Sequence, residues 1–448
     1  MRARQALLGM IDDRELFMRP SGEIDELQIE AAREIFAERR EQIPVLRRRA
    51  EEMGVSEITS LHDLVPLLFS HTTYKSYPNS FVERGQWDKM LKWFETLSTA
   101  DTSNVNIEGV VTVDDWIQRL WDAGHMALAT SGSSGKVSFL NQTQSDRDAK
   151  ARHFKRTMGW PYLTPHADRP FFTVSPRYGF NSNVEAVNIQ SRIWGRPDAI
   201  HFLTEEPLLI AEVAKGAALR KRMSEGTATP AEIEAFENEN RDKAKRMQSA
   251  LLDMAEKIVA HRNEPIFLGA LWAQHMMIIE RAKSMGVEDG DFHPDSVIAA
   301  GGGIKGVVLP PDYKERVDRF YGKVLRPGGY GMTEMAQRWP MCEHRRYHRP
   351  PALICLPLDR PGERLLTKDD AVNGQLEGRM AFVDLTFDGR WGGIISGDKI
   401  QLDFNDCPCG RKGPTILDTI TRYAQPGEDD HIGCAGTIDS YVRGALSS

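Results

Sequence analysis

The sequence predicts an α/β protein, and two textures of the chain carry that prediction. From Ala127 onward, short apolar runs alternate with helical stretches: PFFTVSP at 170–176, AIHFL at 199–203, PIFLGAL at 265–271 and VIAAGGGIKGVV at 297–308. That alternation is expected of a mixed or parallel sheet covered by helices. After Pro340 the chain turns short-stranded and turn-rich, with ALICLPLD, GRMAFVDLTF and GGIISGDKIQLDF, which predicts a smaller β-rich subdomain.

The elements follow in order. Residues 23–54, EIDELQIEAAREIFAERREQIPVLRRRAEEMG, carry apolar positions at helical spacing among charges. The tract to Leu120 continues helically, with a Pro and Ser break near Tyr77 to Asn79. MALATSGSSGKVSF then reads as strand, loop and strand. Residues 205–283 alternate acids and bases as a solvated helical layer, broken near Thr227 to Pro230. The boundaries are residues 1–125 for a helical segment packed on the core, 126–340 for the α/β core, 341–425 for the β-rich subdomain and 426–448 for a short tail.

Composition narrows the function. A chain of 448 residues with 41% hydrophobic content buries a sizeable core, and a net charge of −7 supplies no basic field for nucleic acid. No run of eighteen apolar residues appears, and the first residues do not form a signal peptide, so a cytoplasmic protein without a membrane span is expected. Five cysteines in so long a chain do not make a disulfide framework. Small-molecule chemistry is the better expectation.

The stretch TSGSSGKVS, 130–138, is rich in glycine and hydroxyls around one lysine. Its glycines are too closely spaced for a Walker loop, and Val137 follows Lys136 where Ser or Thr is required. What remains is a loop able to wrap an anion with backbone N–H groups and hydroxyls. Downstream stand GGYGMTEMA at 328–336 and ISGDKIQLDF at 395–404.

The order TSGSSGK, YGMTE, SGD resembles the core motifs of the acyl-adenylate-forming superfamily, and the resemblance covers the chain from about Leu68 onward. It implies a large adenylate-forming domain with mixed sheets flanked by helices, acting as an ATP- and Mg²⁺-dependent ligase. In that reading Thr130, Ser131, Gly132, Ser133, Ser134, Gly135 and Lys136 cradle the β- and γ-phosphates. Thr333 offers a hydroxyl to the α-phosphate and Glu334 an oxygen to Mg²⁺. Tyr330, Gly331 and Met332 flank the adenine, Asp398 accepts the ribose hydroxyls, and Arg422 touches ribose and phosphate. Gly302 and Gly303 approach the adenine, while Gly301, Phe180, Asn181 and Asn183 are candidate liners of the acid pocket.

A second cluster is MCEHRRYH followed, about sixty-five residues later, by DCPCGRKGP, and a C-x-C knuckle with a distant Cys and His suits a closed tetrahedral Zn²⁺ site. These elements resemble those of phenylacetate-CoA-ligase-like proteins, which implies a structural zinc on Cys342, His348, Cys407 and Cys409, with His344 as substitute.

Only fifty residues follow Asp398, so the lid domain of full-length relatives, with its lysine, is expected to be truncated. LFSHTTYKSYP at 68–78, GGGIKG and RYHRPP are similar to the bioluminescence acyl-protein synthetases, which makes Cys434, near His431, a candidate acyl acceptor. The expected reaction is acid activation through an adenylate with pyrophosphate release, aryl acids slightly favoured. Transfer would go to an amine, hydroxyl or thiol, including CoA or a carrier or acceptor protein. The alternatives are a fatty acyl-protein synthetase forming a Cys thioester, or a lid-less adenylate-binding subunit that needs a partner. The sequence does not fix the oligomeric state.

Overall fold

A computed structural model of the protein describes residues 2–13, 15–130, 135–301 and 308–424. The fold is mixed α/β, with helices and several sheets, and the chain divides into two compact units. Ser131 to Ser134, Gly302, Gly303, His431 and Cys434 lie outside the described residues.

One unit holds residues 157–212 and 219–328. Its centre is a four-stranded sheet in the order Gly195–Thr204, Arg169–Pro176, Phe267–Leu271, Val297–Gly301, with every pair parallel. The four apolar runs of the sequence are these strands. Parallel strands need crossovers, and helices Ser182–Trp194 and Trp272–Ser284 supply two of them. The 31-residue helix Pro230–Ala260 opens on a capping box, with Thr229 accepting from Glu232 N and Pro230 in the first turn, where its missing N–H costs nothing. Its buried face, Leu251, Met254, Ala255 and Ile258, packs on Phe172, Leu268 and Ile298 of the sheet. Phe171 stacks on Phe267 at 4.9 Å, locking two neighbouring strands face to face.

The other unit holds residues 1–156, 213–218 and 329 onward. Its main sheet has seven strands, with the path Arg346–His348, Thr415–Leu417, Gly393–Asp403, Gln375–Asp384, Leu353–Leu358. Phe69–Ser70 adds parallel to Gly393–Asp403, and Thr421–Arg422 adds antiparallel to the same strand. Two short hairpins complete the unit, Leu128–Ala129 with Phe139–Leu140 and Gly329–Tyr330 with Trp339–Pro340.

The N-terminal helices Arg2–Gly9 and Ser21–Gln42 are fastened to this unit by buried arginines. Arg4 donates to the carbonyls of Leu385 at 2.7 Å and Thr386 at 2.6 Å, and both Arg4 and Arg39 reach Asp388 at 2.7 Å. Two guanidinium groups thus converge on one carboxylate by charge-assisted hydrogen bonds.

Candidate functional site

The Gly329–Tyr330 hairpin places Tyr330 opposite Trp339, and the Tyr330 ring is buried. Its hydroxyl donates to Asp398 Oδ2 at 2.9 Å. Burial, and then the charge of Asp398, hold that hydroxyl well above the usual tyrosine range, so it stays protonated and can only donate here. Asp398 lies in strand Gly393–Asp403 and faces Arg422 across the antiparallel register. Arg422 Nε stands 3.3 Å from Asp398 Oδ1. Three residues expected at one nucleotide thus meet: an aromatic ring, a carboxylate able to accept two hydroxyls, and a half-exposed guanidinium.

Thr333 and Glu334 occupy the loop that joins the two hairpin strands, and buried ions below it fix its course. Asp384 accepts from the N–H groups of Ala336 at 2.7 Å and Gln337 at 3.2 Å. Arg390, 2% exposed, donates to the carbonyls of Glu334 at 3.1 Å and Asn141 at 2.7 Å. Its plane lies over the Phe387 ring at 3.4 Å. Burial raises the Glu334 carboxyl above its usual range; Asp398 adds to the rise, while Arg390 and Lys75 oppose it.

Thr130 pairs with Ser138 at the end of the hairpin of Leu128–Ala129 and Phe139–Leu140: its N–H donates to Ser138 O at 3.1 Å and its hydroxyl accepts from Ser138 N at 2.9 Å. Gly135 has φ +88°, a left-handed turn that favours glycine. Lys136 donates to Tyr77 O and lies 3.9 Å from the centroid of the Tyr77 ring. Asp146 accepts from Thr143 N at 2.8 Å, Asp388 N at 2.7 Å and Gly389 N at 3.0 Å, which fastens the start of helix Gln144–Thr157 to the segment before Arg390.

The expected acid-pocket residues belong to the parallel-sheet unit. Gly301 ends the strand Val297–Gly301. Asn181 caps helix Ser182–Trp194, its side chain accepting from Asn183 N at 2.8 Å, and Asn183 Nδ2 donates to Ser175 Oγ at 3.2 Å. Asn181 thus has a capping task of its own. Phe180 is half-buried beside it.

Cys342, His348, Cys407 and Cys409 bring their ligand atoms within 4.8 Å of one another. His344 is not part of the group. Three local features build it. Cys342 N donates to Arg346 O at 2.9 Å in the turn that leads into strand Arg346–His348. Gly410, at φ +81°, lets the chain fold back so that its N–H reaches Cys407 O at 2.9 Å. Cys342 Sγ lies 3.8 Å from Cys407 Sγ, and Cys409 Sγ lies 3.5 Å from His348 Nε2. Burial pushes the His348 imidazole down to about 4, which leaves it neutral at pH 7, the form that ligates. Three sulfurs and one imidazole nitrogen converging from two chain segments form a donor set that fits a tetrahedral zinc, with no protein position left for chemistry.

Motif reading did not single out Arg390, Asp384 or Asp146, whose part comes from burial and not from residue type.

No protein-family model and no curated protein matches the chain. Among solved structures, the chain is similar to an acyl-CoA synthetase of Brucella canis, at 15% identity and a TM-score of 0.36. The match covers 65% of this chain and 44% of that one, so this chain spans less than half the length of the synthetase.

Proposed function

We propose that the protein activates a carboxylic acid with ATP. The acid's carboxylate oxygen attacks the α-phosphorus, the α–β anhydride breaks, and an acyl adenylate and pyrophosphate form. An amine, hydroxyl or thiol then displaces AMP. The observation that carries this reading is the meeting of Tyr330, Asp398 and Arg422, with Glu334 close enough for its charge to couple to Asp398.

In this assignment Asp398 accepts the ribose hydroxyls and Arg422 neutralises phosphate. Tyr330 gives a flat apolar surface to the base. Glu334 supplies a Mg²⁺ ligand, the metal being bound mainly by phosphate oxygens plus one carboxylate. Thr333 donates to the α-phosphate, and the 130–136 loop, with Lys136, holds the departing pyrophosphate. Catalysis here is alignment and charge compensation, since two anions must be brought together. The Cys342, His348, Cys407 and Cys409 group would hold Zn²⁺ as a structural clamp.

The test is exchange of labelled pyrophosphate into ATP over a panel of aryl and alkyl acids. Acid-dependent exchange is expected. Its absence with every acid, in a preparation that binds ATP, counts against the proposal.

A further inference from the structure

The two chain segments that carry the metal ligands also grip the start of helix Ser21–Gln42 and the turn before it. Phe17 lies in the turn Leu16–Met18, is buried, and meets the His348 imidazole edge-on with ring centroids 5.8 Å apart. The Phe17 carbonyl accepts from Lys412 N at 2.7 Å, a short step along the chain from Cys409. Gly413, at φ +88°, brings the backbone so close that a Cβ there would lie 3.5 Å from Ser21 Cβ. Arg349, next to His348, donates to Asp25 Oδ1 at 2.6 Å.

Neither side of this contact is held by regular structure of its own. Leu16–Met18 is a single 3₁₀ turn, and helix Ser21–Gln42 starts after Pro20 with no side chain capping its first turn. Opposite them, residues 404–414 form neither helix nor strand, and Cys407 and Cys409 lie inside that stretch. Such a knuckle takes its shape from the ion, because the binding free energy of a structural metal is folding free energy. A further tie, Arg411 to Glu343 at 2.7 Å, is partly exposed and weak by comparison. The flanks of the gripped segment are fastened without the metal, by Arg4 and Arg39 on Asp388 and by Arg152 on the Leu8 carbonyl at 2.8 Å.

We propose that metal occupancy of the Cys342, His348, Cys407 and Cys409 group is a latch for residues 16–25. With the ion bound the segment is docked on the knuckle; without it the segment opens while the sheet behind it stays folded. The inference rests on the clamp assignment above and is independent of the acid-activation chemistry. Linkage gives it a second face: if the ion holds the segment, the segment holds the ion by the same factor.

The test is hydrogen exchange, read by mass spectrometry on the full chain, zinc-loaded and after treatment with a zinc chelator. Removing zinc is expected to speed exchange in residues 17–25 by about tenfold or more, while strand Gly393–Asp403 and helix Arg2–Gly9 keep their rates. Competition for Zn²⁺ against a chromogenic chelator reads the reciprocal effect. Phe17→Ala is expected to weaken zinc binding by about threefold to tenfold, the size of a lost aromatic contact. Asp25→Ala, which removes a partly exposed pair, is expected to weaken it about twofold, and it carries the comparison if Phe17→Ala does not fold. Leu7→Ala, a core truncation in the preceding helix, is expected to leave zinc affinity unchanged. Exchange in residues 17–25 that ignores zinc overturns the inference, as does a rise shared equally by strand Gly393–Asp403. So does wild-type zinc affinity in both Phe17→Ala and Asp25→Ala, or an equal loss in Leu7→Ala, since lost stability alone would then account for it. Elemental analysis separates the latch from the clamp beneath it. Zinc present with an indifferent segment keeps the clamp and sinks the latch, and a chain that binds no zinc sinks both.

Discussion

Tyr330 holds Asp398 through a 2.9 Å hydrogen bond while Arg422 pairs with the other carboxylate oxygen at 3.3 Å. The carboxylate is thereby oriented before any ligand arrives. Two variants separate orientation from contact. Asp398→Ala is expected to weaken ATP binding by about a hundredfold, and Tyr330→Phe by about tenfold, in line with losing charged and neutral hydrogen bonds respectively. Replacing ATP by 2′-deoxy-ATP should cost the wild type affinity and cost Asp398→Ala little. Fluorescence or calorimetric titration reads all of these.

Glu334 gives a prediction with opposite signs for activity and stability. Its carboxyl is raised above the ordinary value, chiefly by burial, so the unfolded chain releases this proton at lower pH than the folded one. Stability associated with this group is then greatest below the unfolded value and falls as pH rises through the folded one. Glu334→Gln removes that fall. The variant should match or exceed the wild type in urea unfolding at neutral pH. It should also lose on the order of a hundredfold in Mg²⁺-dependent activity. A Glu334→Gln protein that is both destabilised and active contradicts the assignment.

Arg390 and Gly329 test the scaffold. Arg390→Met strips the buried Asn141 carbonyl and the partly buried Glu334 carbonyl of their donor, and should destabilise by about 3 kcal/mol. Gly329→Ala places a methyl group on the Arg338 guanidinium, the far end of a flexible side chain that can swing aside, and should cost less than about 1 kcal/mol. Chemical denaturation measures both, and an unchanged midpoint for Arg390→Met would contradict its hold on the two carbonyls.

The metal cluster predicts one equivalent of zinc per chain by elemental analysis. Cys407→Ser and Cys409→Ser should abolish it, and His344→Ala should not, because His344 stands outside the group. Removing the metal should destabilise by about 3 kcal/mol or more, since binding free energy of a structural site is folding free energy. Nucleotide binding per mole of folded protein should survive.

What could be read in advance follows from the kind of signal. The four parallel strands were legible because a strand of a helix-covered parallel sheet is a short apolar run, and 170–176, 199–203, 265–271 and 297–301 all read so. The Cys and His ligands were legible because a C-x-C pair with a distant Cys and His is metal-ligand spacing. The packing of Arg338 on Gly329, nine residues earlier, was not, because QRWP carries no motif and only the hairpin brings the two together. Arg4, Arg39, Asp146, Asp384 and Arg390 escaped for the same reason. A charge is silent in sequence until folding takes water away from it and supplies a partner.

The central claim is that the acid is activated by cleavage between the α- and β-phosphates. Phosphorus NMR of the products of ATP, Mg²⁺ and acid decides it most directly. AMP and pyrophosphate in equal amounts, formed only with acid present and lost in Glu334→Gln, are the predicted result. ADP and inorganic phosphate would contradict the account.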